Sequence, residues 1–312
     1  MSTLGFDSTT DDVLEGIDLA GKRVLVTGAS AGLGVETTRA LVAHGAAVTM
    51  AVRDLTKGAA ARDEILATVP DADLELRLLD LADLTSVRTC ANGFLDDHER
   101  LDVLIANAGI MACPFGTSAD GFELQFGTNH LGHFLLATRL LPALIATGDA
   151  RVVLLSSAGH RFSDVDLDDL AFEHQEYDPW VAYGRAKTAN VLCAVGLDQR
   201  YRDQGVRAFA VHPGGIHTEL GRHLTDNALK ELMDRMPPGD QTLWKSIPQG
   251  AATTVYAATS SDLSGHGGVY LEDCHIADVT EDPLSRSGVR AYALDRASAD
   301  ALWVLSERLV DA

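Results

Sequence analysis

Residues 26–36 read VTGASAGLGVE, and the glycines in this stretch decide how the whole chain should fold. Gly28, Ser30 and Gly32 match G-x-S-x-G, the strained turn that presents a hydrolase's serine nucleophile. Gly28, Gly32 and Gly34 also match a loop that binds a phosphate at the start of a helix. The two interpretations predict different enzymes, and the position of the stretch among the other elements separates them.

The order of elements predicts an α/β fold. Short apolar runs alternate with amphipathic segments, and runs that are apolar on both faces are typical of parallel strands covered by helices on both sides. We therefore expect a doubly wound Rossmann fold with a seven-stranded parallel sheet flanked by helices. The predicted strands span residues 23–28, 46–52, 74–80, 101–109, 151–157, 206–214 and 267–271.

The glycine stretch follows the first of these strands. A nucleophile elbow needs an oxyanion donor from an earlier strand–helix loop, and no such loop precedes Ser30. The end of the first strand is instead where a dinucleotide fold places its pyrophosphate, against the amides and the positive end of the next helix. We expect the glycines to provide a tight turn, a close approach to phosphate and close helix packing.

Composition and charge limit the class of protein and its partners. With 312 residues, 46% hydrophobic and 22% charged, the chain predicts a single globular domain over residues 1–312. The formal net charge of -20 repels phosphodiester backbones and anionic lipid surfaces. Nucleic acid is therefore excluded as an expected partner.

The termini and cysteines predict a cytoplasmic protein. An acidic extension occupies residues 1–20, where a signal peptide would carry positive charge and then an apolar run. The most apolar long stretch, 131–147, contains polar residues and is too short to span a bilayer. The four cysteines form no C-x-x-C pair, which favours free thiols in a reducing compartment.

Further motifs accompany the glycine loop in a fixed order. TGASAGLG at 27–34 is followed by NAG at 107–109, by Ser157 and by YGRAK at 183–187. In this order and spacing the chain resembles the short-chain dehydrogenase/reductase family from about residue 20 to residue 275. Segments similar to its retinol-dehydrogenase-like branch, bacterial relatives included, are RDLTKG (53–58), TNHLGHFLL (128–136), VHPGGIHTEL (211–220), GGVYLEDC (267–274) and ALWVLSERLV (301–310).

Tyr183 and Lys187 lie four residues apart on a predicted helix and therefore on one face. Lowering the pKa of a phenol by about 3 units requires roughly 4 kcal/mol. A positive charge about 4 Å away supplies that much at an effective dielectric near 20. We expect Lys187 to lower the pKa of Tyr183 and make it a general acid/base. A surface pair is the usual alternative for this spacing, but the glycine loop and Ser157 favour function.

The family resemblance implies the other catalytic roles. Lys187 would also bind the nicotinamide ribose, Ser157 would hydrogen-bond the substrate oxygen, and Asn129 would hold a water in a proton relay. Ser156 is not chosen because adjacent strand residues point to opposite faces. The predicted catalytic residues are Asn129, Ser157, Tyr183 and Lys187, and no metal is expected.

The end of the second strand predicts NADP as the cofactor. Val52 stands where an acidic residue would select NAD, and Arg53 can pair with a 2′-phosphate. By resemblance, Asp80 contacts adenine and Asn107 anchors a loop beside the cofactor, although either residue can be only a strand-end cap. The expected cofactor-binding residues are Gly28, Ser30, Gly32, Leu33, Gly34, Arg53, Asp80, Leu81, Asn107, Ala108, Gly109, Tyr183, Lys187, Pro213 and Gly214.

Two long segments, one before the last predicted strand and one at the C-terminus, carry separate predictions. Residues 213–247 correspond to the family's substrate lid, and an apolar stripe within them predicts a small apolar carbonyl or alcohol substrate. Residues 285–312 form a C-terminal helical extension that covers either the substrate pocket or the surface through which family members form homodimers or homotetramers. The stripe consists of Leu229, Leu232, Met233 and Met236.

The histidines are expected to pack rather than to bind metal. His130 and His133 have a helical spacing that metal sites also use, but no carboxylate or cysteine cluster accompanies them. His160, His212 and His217 receive the same interpretation.

The sequence thus predicts an NADP(H)-dependent oxidoreductase that interconverts a carbonyl and an alcohol by hydride transfer. A non-catalytic dinucleotide-binding regulator or redox sensor is the main alternative from another class, but such family members commonly lack the tyrosine or lysine. Reduction of a carbon–carbon double bond is a third hypothesis, since Tyr183 can donate a proton there too. The serine hydrolase is disfavoured by the position of Ser30.

Overall fold

A computed structural model describes residues 4–218, 220–221, 230–232, 244–285 and 287–311. Its strands are β1 (Arg23–Thr27), β2 (Ala47–Val52), β3 (Leu74–Leu78), β4 (Val103–Ala106), β5 (Ala150–Leu155), β6 (Val206–His212), β7 (Gly215–Ile216), β8 (Trp244–Lys245), β9 (Val269–Glu272) and β10 (His275–Ile276). The main sheet has the order β10-β9-β6-β5-β4-β1-β2-β3, and the strands from β9 to β3 are parallel. The strand order reverses between β1 and β4, where open α/β sheets form their binding crevice.

The main sheet has one strand more than the seven predicted. β10 pairs antiparallel with β9 across a turn in which Asp273 and Cys274 have φ of +46° and +58°. Two consecutive residues with positive φ are typical of a tight hairpin turn, which usually contains glycine or asparagine. Asp-Cys carries no such signal, so the sequence did not indicate the extra strand. The short parallel pair β7–β8 was also not predicted.

Helices cover both faces of the sheet, which confirms the doubly wound α/β class. Alternate strand residues enter opposite cores: Leu25 packs with α4, α6, α7 and α9, whereas Val24 and Val26 pack with α1, α2, α3 and α8. The helices are α1 (Thr10–Leu14), α2 (Gly32–Ala43), α3 (Leu55–Thr68), α4 (Leu84–Asp97), α5 (Leu124–Phe126), α6 (Gly132–Thr147), α7 (Pro179–Tyr201), α8 (Ile247–Thr259) and α9 (Arg296–Asp311), with a π-helical segment Gly127–Leu131 joining α5 to α6.

The start of α7 follows the predicted helix signals. The Asp178 side chain accepts hydrogen bonds from the Trp180 and Val181 amides, and Pro179 occupies the first turn. A short 3-10 turn then leads to Gly205, which has φ +79°. Because its cap fixes where α7 begins, the register of Tyr183 and Lys187 is set by local sequence.

Both terminal extensions pack onto the sheet domain. In the N-terminal one, Val13 and Leu14 are buried in the core with α2 and α8, and Asp11 pairs with Arg39 on α2. In the C-terminal one, Trp303 on α9 makes an edge contact with Phe134 on α6. The helices α6 and α7 are therefore covered by α9, on the surface through which the resemblance predicts pairing of subunits. None of the helices in the described ranges is long and apolar enough to cross a membrane.

Candidate functional site

The glycine loop between β1 and α2 is shaped by two close approaches. Gly28 has φ +68°, and a Cβ at this position would lie 2.9 Å from the Ala108 Cα and Cβ atoms. A Cβ on Gly34 would overlap the carbonyl oxygen of Gly28 and lie 2.8 Å from the Asn107 side-chain nitrogen. The sequence argument assigned these glycines to a tight turn and to close helix packing, and both are present.

The same loop leaves the start of α2 open. Ala31 precedes α2 and provides no side-chain cap for the first-turn amides. Ser30 is partly exposed and is absent from the described non-glycine residues with positive φ, so it lacks the strain of a nucleophile elbow. No histidine in the described part of the chain bonds its hydroxyl. These features suit an anion at the helix N-terminus better than a serine nucleophile.

The other predicted cofactor-binding residues follow the carboxyl ends of neighbouring strands. Asn107, after β4, donates its side-chain amide to the Thr27 carbonyl at 2.8 Å and so anchors the two loops. Asp80, after β3, accepts a hydrogen bond from the Ala82 amide at 2.9 Å, which is the local cap considered as its alternative role. Arg53, after β2, is exposed and makes no ion pair with another described residue.

The loops after β4 and β6 also lie at the carboxyl edge of the sheet. The Ala108 amide donates to the Thr27 hydroxyl at 3.0 Å. Gly214, which follows Pro213, has φ +97°. A Cβ there would lie 2.8 Å from Lys245 Cδ. These residues thus lie at the carboxyl edge of the sheet, beside the crevice expected where the strand order reverses.

Ser157, Tyr183 and Lys187 come together beside this crevice. Ser157 lies two residues after the end of β5, and its hydroxyl accepts from the Gly159 amide at 3.0 Å. A Cβ built on Gly159 would lie 3.4 Å from Ser157 Oγ and 2.7 Å from the Tyr183 ring, so the serine lies beside the tyrosine. The Tyr183 ring is 3% exposed, and the Lys187 Nζ lies 5.6 Å from its centroid. Lys187 Nζ also donates to the Leu155 carbonyl at 3.0 Å. The predicted trio is therefore one contiguous cluster.

Burial sets the proton affinities of this cluster in the absence of a dinucleotide. It raises the pKa of Tyr183 to about 12, while the Ser157 hydrogen bond acts in the opposite direction. It lowers the pKa of Lys187 to about 8. From the sequence we expect Lys187 to lower the pKa of Tyr183. In the protein without a dinucleotide, burial has the largest effect on this pKa and raises it. The ammonium bonds a backbone carbonyl and does not reach the phenol oxygen.

Asn129 occupies the π-helical segment with its side chain engaged. Its Oδ1 accepts from the Ile110 amide and its Nδ2 donates to the Ile110 carbonyl, both at 2.9 Å. A Cβ on Gly109 would lie 3.2 Å from Asn129 Oδ1 and 3.6 Å from Lys187 Nζ, so these two side chains converge on the NAG loop. The contacts place Asn129 beside the lysine, and its part in a proton relay stays a prediction.

Buried side chains near the cluster have packing partners. His130 bonds Ser306 at 2.9 Å, and His133 bridges the Thr27 hydroxyl at 2.8 Å and the Asn129 carbonyl at 2.9 Å. Ser156, the neighbour not chosen for catalysis, donates to the Lys187 carbonyl at 2.8 Å and supports α7. Within the described ranges, no three His, Cys, Asp or Glu side chains form a group suited to a metal.

Three neighbours of the site were missed by sequence reasoning. A Cβ on Gly159 would lie 2.7 Å from the Tyr183 ring, so the ring requires glycine beneath it. Thr218 lies against the glycine loop, 3.4 Å from a Cβ built on Gly32. Lys245 packs over Gly214 and pairs with Asp273 at 2.5 Å. The S-x-G pattern that begins at Ser157 could have indicated Gly159, but no short-range pattern connects Lys245 to Gly214, 31 positions earlier.

The described residues include only part of the predicted lid, 213–247. Leu229, Met233 and Met236 lie outside the described residues, as does most of the segment 213–247. Leu232 is described, and it packs with Met111 and Phe162 against the cluster of Ala112, Trp180 and Tyr183. Apolar side chains therefore pack in the cluster that contains Tyr183.

A glycine loop at the end of the first strand and a Ser–Tyr–Lys cluster beside a doubly wound parallel sheet are the features of dehydrogenases of the Rossmann class. The family model of the short-chain dehydrogenases matches residues 22–229. The chain belongs to the short-chain dehydrogenase/reductase family, whose members are oxidoreductases that bind a nicotinamide dinucleotide.

Relatives from several kingdoms cover nearly the whole chain. The short-chain dehydrogenase/reductase prx1 of Penicillium rubens is 43% identical, over 97% of this chain and 90% of its own. Retinol dehydrogenase 12 of Mus musculus is 39% identical, over 94% of this chain and 88% of its own. The crystal structure of an uncharacterised protein from Mycobacterium paratuberculosis superposes with a TM-score of 0.74 at 37% identity, covering 98% of both chains.

Proposed function

We propose that this protein is an NADP(H)-dependent oxidoreductase that interconverts a carbonyl and an alcohol on an apolar substrate, with Tyr183 as general acid/base. The observation that carries the proposal is the convergence of three side chains: a Cβ built on Gly159 would lie 3.4 Å from Ser157 Oγ and 2.7 Å from the Tyr183 ring, and Lys187 Nζ lies 5.6 Å from the centroid of that ring. A serine and a tyrosine that lie this close can hold one substrate oxygen between their hydroxyls. We also assign the chain to the retinol-dehydrogenase-like branch, on the sequence segments given above.

The residues around the crevice fit a dinucleotide. The glycine loop turns tightly because a Cβ at Gly28 would meet Ala108 and one at Gly34 would meet the Gly28 carbonyl, and the first turn of α2 has amides without a side-chain cap. A pyrophosphate suits this combination of a tight glycine turn and a positive helix end. Asn107 and Gly214 would border the nicotinamide end, and Asp80 with Leu81 the adenine end.

The bound dinucleotide would supply the hydride. Tyr183 would give its proton to the substrate oxygen during reduction and take it back during oxidation. Ser157 would donate a hydrogen bond to the same oxygen and hold it in line. Lys187, protonated near neutral pH, would favour the phenolate electrostatically and so offset the effect of burial on Tyr183.

Arg53 supports NADP over NAD. Its guanidinium is exposed, has no ion pair with another described residue and follows the strand end where Val52 is fully buried. An arginine without an ion pair at this position can bind a 2′-phosphate by donating two charge-assisted hydrogen bonds to it.

The surroundings of Tyr183 support an apolar substrate. Met111, Phe162, Trp180 and Leu232 pack about the phenol. Retinol dehydrogenase 12, one of the relatives, is named for an apolar alcohol. An apolar wall with a few convergent polar groups is the usual composition of a small-molecule site.

The test is NADPH oxidation, followed by absorbance, with a panel of apolar ketones, aldehydes and enones for the wild type and for Tyr183→Phe. We expect turnover of a ketone or an aldehyde and a loss of at least about 100-fold in Tyr183→Phe, the lower end of the range for removing a general acid. Product analysis separates the alternatives, because saturation of an enone would identify a carbon–carbon double-bond reductase. NADPH binding without turnover, unchanged by the substitution, would support the regulator instead.

A further inference from the structure

A single peptide group beside Ser157 is held by two imidazoles. Its carbonyl, that of Ser157, accepts a hydrogen bond from His160 Nδ1 at 2.7 Å. Its amide, that of Ala158, donates to His212 Nδ1 at 3.2 Å. Both polar groups of the Ser157–Ala158 peptide are thus hydrogen-bonded to imidazoles. The direction of the Ser157 side chain depends on the orientation of this peptide plane.

The partners of each ring fix its tautomer. His160 must carry its proton on Nδ1 because it faces a carbonyl, and its Nε2 accepts the Arg290 amide at 3.2 Å. His212 must carry its proton on Nε2, because its Nδ1 accepts the Ala158 amide and also the Gly214 amide at 3.4 Å. The two rings are therefore neutral and have opposite tautomers. A second proton on either ring would place two N–H groups against each other.

The environment keeps both rings neutral. Burial lowers the pKa of His160 to about 4 and the pKa of His212 to about 3. Arg161 lies near both rings, with Arg290 close to His160 and Lys245 close to His212, and these positive charges act in the same direction. The centroid of the Tyr270 ring lies 5.0 Å from that of His160. No carboxylate of the described residues raises the pKa of either imidazole.

The second bond of His212 extends the contact across the site. Gly214 follows β6, whereas Ser157 follows the neighbouring strand β5. One ring nitrogen therefore sets the spacing between the two loops. Ordinary packing of a core histidine would not require both histidines to grip the same peptide group.

We infer that His160 and His212 are positioning residues that aim the Ser157 hydroxyl at Tyr183 and at the substrate oxygen. The inference rests on the proposed function, because it assigns Ser157 a role in turnover. The sequence predicts only that these two histidines are packed side chains; the inference adds that they position Ser157.

The first test compares His212→Leu, which removes the acceptor, with His212→Asn, whose Oδ1 can replace Nδ1. We expect kcat for carbonyl reduction to fall about 10- to 100-fold in His212→Leu, because small misplacements of a positioned group cost up to about 100-fold. His212→Asn should recover most of that loss. His44→Leu, which removes a ring bond to the Ile17 carbonyl far from the site, should leave kcat unchanged.

A double-mutant cycle separates positioning from general destabilisation. In a Ser157→Ala background the His212→Leu substitution should have no further effect on kcat, because the group it positions is gone. An equal loss in both backgrounds, or a His212→Leu enzyme within about twofold of wild type, would overturn the inference; twofold is less than 1 kcal/mol. If His212→Leu does not fold, the same cycle with His160→Gln, which keeps only the ε position, decides the question.

Histidine nitrogen NMR tests the arrangement without relying on activity. At neutral pH we expect His160 as the Nδ1–H tautomer and His212 as the Nε2–H tautomer, assigned with the single variants. Matching tautomers, or a charged ring, would refute the inference even in an active enzyme. Opposite tautomers in a protein without turnover would instead locate the error in the proposed function.

Discussion

Burial moves the proton affinities of Tyr183 and Lys187 in opposite directions, and the effect on the lysine can be measured in the protein alone. The lysine lies in the core with a pKa of about 8, because its ammonium has lost water and gained only a carbonyl. We expect one lysine of the dinucleotide-free protein to titrate at that pH. Carbon NMR of reductively methylated protein would reveal it, and Lys187→Met should remove that signal. A protein whose lysines all titrate at ordinary values would contradict the buried position.

Arg53 allows a test of cofactor choice at a single side chain. Its charge-assisted hydrogen bonds to a 2′-phosphate should contribute about 1.5–3 kcal/mol. Arg53→Gln should therefore raise the KM for NADPH about 10- to 100-fold and leave the KM for NADH nearly unchanged. Arg62→Gln, which removes an arginine from α3 that already pairs with Asp63, serves as the matched control. Equal effects on both cofactors would remove the argument for NADP.

At the scale of an element, the packing of α2 against the glycine loop depends on Gly34. A Cβ there overlaps the Gly28 carbonyl, which is rigid backbone, so Gly34→Ala must displace the helix start. We expect a loss of about 1–3 kcal/mol in unfolding free energy and a strong loss of dinucleotide binding. Urea unfolding and fluorescence titration with NADPH would measure the two effects.

The matched control is another helical glycine with a yielding neighbour. A Cβ on Gly93 in α4 would meet only the end of the Arg77 side chain, at 2.9 Å. Gly93→Ala should therefore be neutral or stabilise the protein by up to about 1 kcal/mol through helix propensity. If Gly34→Ala behaved like Gly93→Ala, α2 would not be held by contact with the loop.

The elements that the sequence predicted are those with local signals. Apolar runs and glycine, proline and aspartate punctuation predicted the parallel strands and the start of α7, because these signals act within a few residues. β10 was missed since its turn uses Asp273 and Cys274 at positive φ without a glycine. The Ser–Tyr–Lys cluster was predicted from the helical spacing of Tyr183 and Lys187 and, for Ser157, from the family resemblance. The roles of His212 and Lys245 depend on contacts between distant segments, which spacing cannot indicate.

At the scale of the whole molecule, buried neutral histidines should make the fold sensitive to acid. His130, His133, His160 and His212 have pKa values of about 3 to 4, lowered from 6.5 mainly by burial. The unfolded chain binds protons first, so their contribution is complete above about pH 6.5 and is lost as the pH falls toward 4. Each can reduce the unfolding free energy by up to about 1.4 kcal/mol per pH unit in that window.

Urea unfolding at a series of pH values would measure this loss. His130→Gln keeps a group that can bond Ser306 but does not titrate, so its pH slope should be shallower by about one proton. The carboxylates with lowered pKa, such as Asp12 and Asp97, lose protons at lower pH and should not contribute above about pH 5. A stability that stayed flat between about pH 6.5 and pH 5 would show that the four imidazoles are not buried as described.

The C-terminal helix α9 lies beyond residues 22–229, the part that the family model matches, and its packing predicts a structural role. Trp303 is 3% exposed, lies 4.8 Å from the Phe134 ring and has Arg200 over its face at 4.6 Å. Trp303→Ala should cost about 3–5 kcal/mol in unfolding free energy, whereas Val304→Ala, at a site 50% exposed on the same helix, should cost less than about 0.5 kcal/mol.

Light scattering on a chain ending at residue 295 should then detect self-association, because removal of α9 uncovers the apolar faces of α6 and α7. If the shortened chain stayed as stable and as dispersed as the full one, α9 would be an appendage rather than the cover of those helices.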